Sequence, residues 1–154
     1  MMRYFSQLGV RLVLAVVLAV VGSGVIGFNV FYAVFSWITI HYSWFLALMF
    51  HGGAVLEGNM LLVGGETIEF IPACIAASAY LLLALLILLT KGISWKKGIV
   101  LFVIGSVLIL IGNLVRIEIL IALLIGKHVN YFQSLHLVFW KLLSSGYVAA
   151  VWIA

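Results

Sequence analysis

The chain has 154 residues, of which 67% are hydrophobic and only 8% are charged, and its formal net charge is +4. A soluble domain of this length cannot bury so much apolar surface, so the composition predicts a single-domain integral membrane protein. The positive charges lie where they set membrane topology, which argues against nucleic-acid binding. The single cysteine, Cys74, excludes an internal disulfide and a Cys-x-x-Cys redox pair.

Four apolar stretches are each long enough to cross a bilayer. They cover about 12–34, 72–90, 98–124 and 136–154. The first is too long for a signal-peptide core, so we interpret it as an uncleaved anchor. Basic residues precede the first stretch and fill the loop between the second and third: Arg3, Arg11, Lys91, Lys96 and Lys97. Because cytoplasmic segments are enriched in lysine and arginine, both termini are predicted to be cytoplasmic.

The segment at about 36–71 is then expected on the outer face. Residues 36–51 are rich in tryptophan and tyrosine, which favour the membrane interface. A further crossing here would also put Cys74 on the wrong side, so we predict an outer interfacial or re-entrant helix. The following residues, 55–71, form short β-prone runs separated by glycine-containing turns. They predict a small extracytoplasmic β-meander that leads into Pro72 and could cover a site. The predicted fold is therefore an all-α membrane bundle with a small sheet.

Cys74 lies two residues after Pro72, which is the only proline. Proline is favoured at the first position of a helix, so Cys74 should occupy the third position of the first turn. Free N–H groups and the helix dipole there favour a thiolate. The sequence thus predicts a thiol with a lowered pKa, which could act as a nucleophile if a base and a charge stabiliser reach it.

Two further residues are predicted to lie at the level of Cys74. Arg116 comes eighteen residues after Gly98, which places it roughly 27 Å along its helix, near the outer boundary. His136 begins the fourth helix from the outside. His136 could act as base and then acid, while Arg116 could bind a substrate carbonyl, a carboxylate or an oxyanion. Asn113, one helical turn before Arg116, could orient its guanidinium.

Each residue alone has a simpler interpretation. A lone cysteine in an apolar helix is more often inert packing, an arginine at this depth can be a snorkelling anchor, and a histidine at a helix start is commonly an interface residue. Their joint placement at one depth favours a functional site. For Glu118 and Lys141 we predict a structural ion pair, with a proton relay as the alternative. The histidines lack metal-ligand spacing, so neither a metal nor another cofactor is expected.

These motifs resemble the exosortase/archaeosortase family of membrane cysteine transpeptidases, especially its short archaeosortase-like members. The resemblance covers roughly 50–141. It rests on the segment 52–70, a glycine-punctuated flap, and on Pro72-Ala73-Cys74, Asn113-x-x-Arg116 and His136. It implies that Cys74 is the nucleophile and that Arg116 and His136 are the essential arginine and histidine. Many relatives carry a small residue and then glycine after the cysteine, whereas this chain has Ile75 and Ala76. Bulk at Ile75 could therefore alter substrate specificity.

The resemblance also implies substrates and location. Family members process exported surface proteins that carry a C-terminal motif, a transmembrane helix and a basic tail, and the new carboxyl end passes to a lipid or another acceptor. We therefore expect a multi-pass cysteine peptidase or transpeptidase of the cytoplasmic membrane, with its active site on the extracytoplasmic side. The rival hypothesis is a non-enzymatic membrane subunit or small transporter, in which Arg116, Glu118 and Lys141 form a polar core.

Overall fold

The structure, a computed structural model, describes residues 9–18, 25–127, 138, 146 and 148–153. It is mostly helical, with one small sheet. The elements before Pro72 are α1 (Gly9–Leu18), α2 (Val25–His51), β1 (Ala54–Glu57), β2 (Met60–Val63) and β3 (Glu66–Glu69). The later elements are α3 (Pro72–Ile75), α4 (Ala77–Leu89), α5 (Trp95–Ile125) and α6 (Val148–Ile153).

Helix α2 differs from the predicted boundary between a first spanning helix and a separate interfacial helix. It runs without a break from Val25 to His51. No glycine or proline lies between Gly27 and Gly52, so nothing in the sequence interrupts the helical hydrogen bonds. The helix ends where Gly52 adopts a positive φ of +73°, a conformation that glycine reaches without strain.

Among the residues that the structure describes, two helices are long and apolar enough to cross a membrane, namely α5 over Trp95–Ile125 and the Tyr32–His51 part of α2. The prediction of four spanning helices is not confirmed. Helix α4 has 13 residues, which gives about 20 Å of helix against a hydrocarbon core of about 30 Å. Most of the predicted fourth helix, at about 136–154, lies outside the described residues.

Helix α5 turns its apolar side outward and its polar residues inward. Its exposed side carries these residues, each half exposed or more: Ile99, Val100, Val103, Ile104, Val107, Ile111 and Val115. Its buried polar residues are Ser106, Asn113 and Arg116. This distribution suits a helix surrounded by lipid, where a buried charge or amide marks a functional interior.

The predicted β-meander is confirmed as a three-stranded antiparallel sheet in the order β1-β2-β3. The turn between β2 and β3 is Gly64-Gly65, with φ of +60° and +85°, as a two-residue hairpin requires. Leu61 and Val63 of β2 are buried in a core cluster that also contains Ala47 of α2 and Ile121 of α5. The sheet is thus fixed to both long helices.

Three segments meet at the opposite end of the bundle from the sheet. Arg11 of α1 donates from Nη1 to the Thr90 carbonyl at 3.3 Å and from Nη2 to the Ile93 carbonyl. Trp152 of α6 donates from Nε1 to Thr90 Oγ1 at 3.1 Å. Helix α1, the loop between α4 and α5, and helix α6 therefore meet at one end of the bundle.

Candidate active site around Cys74

The first turn around Cys74 forms as predicted. Ile71 is the N-cap residue, Pro72 takes the first helical position, and the Cys74 N–H donates to the Ile71 carbonyl at 2.8 Å. The predicted uninterrupted helix at about 72–90 is wrong, however, because α3 ends after four residues. Ala76 then adopts a left-handed conformation with φ +57° and ψ +32° before α4 begins.

The break at Ala76 directs neighbouring residues into two different cores. Ile75 is buried with Leu61 of the sheet, whereas Ala76 packs in a second cluster with Tyr80 of α4. Tyr80 in turn stacks on Phe35 of α2, with ring centroids 3.6 Å apart. The break at Ala76 thus lies where the chain passes from the first cluster to the second. Ile75 consequently faces the core beneath the sheet.

The thiol of Cys74 differs in its electrostatics from the sequence prediction. Cys74 lies outside both candidate spanning helices and is partly buried. Burial raises the pKa of the Cys74 thiol, while the backbone hydrogen bond at Ile71 and the charge of Arg116 act in the opposite direction. The predicted lowering fails because α3 is a single turn, too short to supply a strong dipole against desolvation.

Asn113 joins the thiol-bearing turn to α5. Its Nδ2 donates to the Cys74 carbonyl at 2.7 Å, and its Oδ1 accepts from Arg116 Nη1 at 3.3 Å. The side chain is completely buried, and its bond to Arg116 is buried, while its bond to the partly buried Cys74 is partly buried. Asn113 therefore fixes the main chain at Cys74 and the guanidinium of Arg116 relative to each other, in the position that its spacing on the helix predicted.

Arg116 is 2% exposed and only part of its guanidinium is bonded. Nη1 also donates to the Ala73 carbonyl at 3.4 Å. Within the part of the chain that the structure describes, Nε and Nη2 have no hydrogen-bond partner. Leaving buried donors of a charged group unpaired destabilises the folded protein, because they have lost their hydrogen bonds to water. These two donors are thus available to an acceptor that enters the site.

Cys74 and Arg116 line the same cavity, which measures about 320 Å³. It lies between the sheet and α5. Its remaining walls are Thr67, Ile68, Glu69, Phe70 and Ile71 on one side, and Ile117, Leu120, Ile121 and Leu124 on the other. The structure therefore places a thiol and a cationic donor at one surface that a substrate-sized group could reach.

Two other predicted residues lie elsewhere. His136 and Lys141 are outside the described residues. Glu118 lies 3.5 Å from His51, measured from Oε2 to Nε2, so its described partner is a histidine at the end of α2. No local pattern in the sequence signals this pair, because the contact depends on how α2 packs against α5. Across the described ranges, no group of three histidine, cysteine or acidic residues could hold a metal ion.

Comparisons with protein-family models, with curated proteins and with solved structures found no match for this chain. The assignment of roles in this site therefore rests on two kinds of observation. One is the geometry of Cys74, Asn113 and Arg116 around the cavity, and the other is the resemblance of the motifs in the sequence.

Proposed function

We propose that the protein is a membrane cysteine peptidase or transpeptidase of the exosortase/archaeosortase type, with Cys74 as its nucleophile. The observation that carries the proposal is that the Cys74 thiol and the buried Arg116 guanidinium line one cavity. A nucleophile and a fixed positive charge lining the same cavity are the two parts that acyl transfer requires first.

In the proposed reaction, the Cys74 sulfur attacks the carbonyl carbon of a peptide bond and forms a C–S bond. The electrons of the carbonyl move to its oxygen, which becomes an oxyanion. When the oxyanion collapses, the C–N bond breaks and the leaving amine takes a proton. The resulting thioester is resolved by an amine or hydroxyl acceptor, which gives transfer, or by water, which gives hydrolysis.

Arg116 is suited to stabilise that oxyanion. Its Nη1 is held by Ala73 and Asn113, so the guanidinium needs no reorientation when negative charge develops. Its Nε and Nη2 have no partner among the described residues and could donate to the oxygen. In a site closed to water, such donors are worth far more than they are at a surface.

The resting thiol needs a base. Because burial raises the pKa of the Cys74 thiol, most of it is protonated near neutral pH, and attack requires a group that removes the proton. We assign this role to His136, whose ordinary pKa near 6.5 suits both removal of the thiol proton and its return to the leaving amine.

The proposed substrates follow from the family resemblance. They are exported surface proteins with a C-terminal motif, a transmembrane helix and a basic tail, cleaved at the outer face of the cytoplasmic membrane. The charge distribution supports this orientation, because Lys91 in the loop after α4 and Lys96 and Lys97 in the first turn of α5 all lie at the end of α4 away from Cys74. A lipid or another nucleophile would accept the new carboxyl end.

The decisive experiment is co-expression with surface proteins that carry such a tail. Cys74→Ala should abolish processing, and Arg116→Gln should slow it by about 100-fold or more, as loss of an oxyanion donor does. Ser78→Ala, at an exposed position on α4, is the matched control and should process normally. If Cys74→Ala processes the tail as well as the unmodified protein does, the nucleophile assignment is wrong. The hypothesis of a non-enzymatic membrane subunit or small transporter is then favoured.

A further inference from the structure

The cavity beside Cys74 follows the edge of strand β3. Three consecutive residues of β3 line it, Thr67, Ile68 and Glu69, and so do Phe70 and Ile71, which follow the strand directly. Successive side chains of a strand point to opposite faces of the sheet. A cavity that lay over one face would therefore contact alternate residues. Contact with every residue in turn means that the cavity runs along the edge of the strand.

The hydrogen-bond register shows which groups this edge presents. Phe70 donates from its N–H to the Asn59 carbonyl at 2.8 Å. In an antiparallel pair, residues alternate between bonding the partner strand and pointing away from it. With the pairing of Leu61 to Ile68 and Val63 to Glu66, the alternation leaves the main-chain groups of Thr67 and Glu69 pointing away from β2.

The two edges of the sheet differ in whether another segment of the chain bonds to them. The outer edge of β1 is covered by α2, because Trp44 donates from Nε1 to the Ala54 carbonyl at 3.1 Å. At the edge of β3, no main-chain hydrogen bond reaches Thr67 or Glu69 from residues 9–18 or 25–127. An unpaired strand edge is a template for another strand. Here that template lies in the cavity wall next to the nucleophile.

We infer that β3 is the docking edge for the substrate, and that an extended peptide segment binds there as a fourth strand with its cleavage site at Cys74. This inference rests on the proposed function and adds to it the conformation of the substrate. The main-chain groups of Thr67 and Glu69 bond the peptide, which gives affinity with little dependence on sequence.

The opposite wall of the cavity defines the side chains that fit. Leu120 and Leu124 of α5 line it beyond Arg116. From Arg116 to Leu124 the helix rises about 12 Å, which matches about four extended residues. At the far end, Gly64 lies against Ile125, since a Cβ on Gly64 would be 2.8 Å from Ile125 Cγ1. The peptide segment that fits this cavity is thus short, about four residues, with apolar side chains at alternate positions.

Arg116 provides a second, independent reason to expect a peptide. Its unpaired Nε and Nη2 lie in a side chain that is 2% exposed and that lines the same cavity. A strand that bonds β3 carries a carbonyl oxygen at every residue, so its end near Cys74 brings an acceptor to these donors. The same contact places that carbonyl beside the thiol.

Peptide binding to Cys74→Ala protein in detergent micelles tests the inference without any chemistry. The probe is a fluorescent, end-blocked hexapeptide of alternating valine and threonine, and fluorescence anisotropy reports binding. Two further peptides carry N-methyl groups on the alternate amides of one edge or of the other. We expect one N-methylated peptide to bind like the parent and the other to bind about tenfold more weakly or worse, because a strand bonds β3 through one edge only. An equal loss of affinity in both N-methylated peptides, or no binding of the parent peptide below about 1 mM, would overturn the inference that β3 is the docking edge.

A pair of variants tests the protein side. Thr67→Pro removes an N–H that points away from β2, so the sheet keeps its own bonds. Thr67→Val keeps that N–H and is the matched control. Weaker peptide binding by Thr67→Pro alone, with the same thermal unfolding midpoint as the control, supports the inference. Equal binding by both refutes it. The outcome is separable from the proposed function, because the peptide test needs no thiol and the processing test needs no particular binding edge.

Discussion

The side-chain amide of Asn113 donates to the carbonyl oxygen of Cys74 at 2.7 Å, and the same side chain accepts from Arg116. One buried residue on α5 therefore bonds both the main chain that carries the proposed nucleophile and the guanidinium of Arg116. The link joins segments 39 residues apart in the sequence, so the site forms only when α3 packs against α5. Its integrity can be tested separately from the chemistry.

Asn113→Asp should disrupt the site, because a carboxylate can still accept from Arg116 but cannot donate to the Cys74 carbonyl. The loss of a partner for this partly buried carbonyl should lower the free energy of unfolding by about 1 kcal/mol. Thermal or denaturant unfolding in micelles would measure the change. Asn59→Asp is the control, since Asn59 also uses its amide in a hydrogen bond, to Glu69, but at an exposed position. Equal losses in the two variants would argue against a special role for Asn113.

The reactivity of the Cys74 thiol should depend steeply on pH. Because burial raises the pKa of this thiol, alkylation of the resting protein should be slow at neutral pH and should level off only at a higher pH than alkylation of an ordinary thiol, whose pKa is about 8.5. Arg116 favours the thiolate, so Arg116→Gln should raise the pKa of Cys74 further and slow alkylation at each pH, by about tenfold for each unit of change. Alkylation rates measured from pH 6 to 10 would provide both profiles.

A Cys74→Ala protein with Val55→Cys supplies the reference for that experiment. Val55 lies on β1 and is 56% exposed, so a cysteine there should titrate near the ordinary thiol pKa of about 8.5. Faster alkylation of Cys74 in Arg116→Gln than in the unmodified protein would show that the guanidinium does not stabilise the thiolate.

Local signals predicted part of this fold. Glycine pairs marked the turns of the β-meander, Pro72 marked the start of α3, and the one-turn spacing of Asn113 and Arg116 on α5 brought their side chains together. Each signal acts within a few residues, so the sequence displays it directly.

Non-local packing explains what the sequence did not predict. The contact of His51 with Glu118 depends on how α2 meets α5, and the raised pKa of Cys74 depends on burial by distant segments. The break at Ala76 is imposed by two cores, whereas alanine itself favours a continuous helix. The first two are contacts between distant segments, and at Ala76 the observed conformation runs against the local preference of the residue.

Ala76→Gly should stabilise the protein, because Ala76 holds a left-handed conformation with φ +57°. This conformation costs an L-residue about 1–2 kcal/mol, and glycine avoids most of that strain. We expect the free energy of unfolding to rise by about 1 kcal/mol. The control is Ala79→Gly within regular α4, where glycine should instead destabilise by about 0.5–1 kcal/mol. Losses of similar size in both variants would mean that the break at Ala76 is absent.

Glu118→Gln discriminates between the enzyme and a polar-core subunit or transporter. Glu118 is two residues from Arg116, so the two side chains point to nearly opposite sides of α5. Its described ion-pair partner is His51, not a cavity residue. Processing of a tail-bearing protein should therefore change by less than about threefold, and any loss should appear in thermal unfolding, since removal of one partner weakens a partly buried pair. A loss of processing as deep as that of Cys74→Ala, with an unchanged unfolding midpoint, would instead place Glu118 in the reaction and favour a proton-relay role.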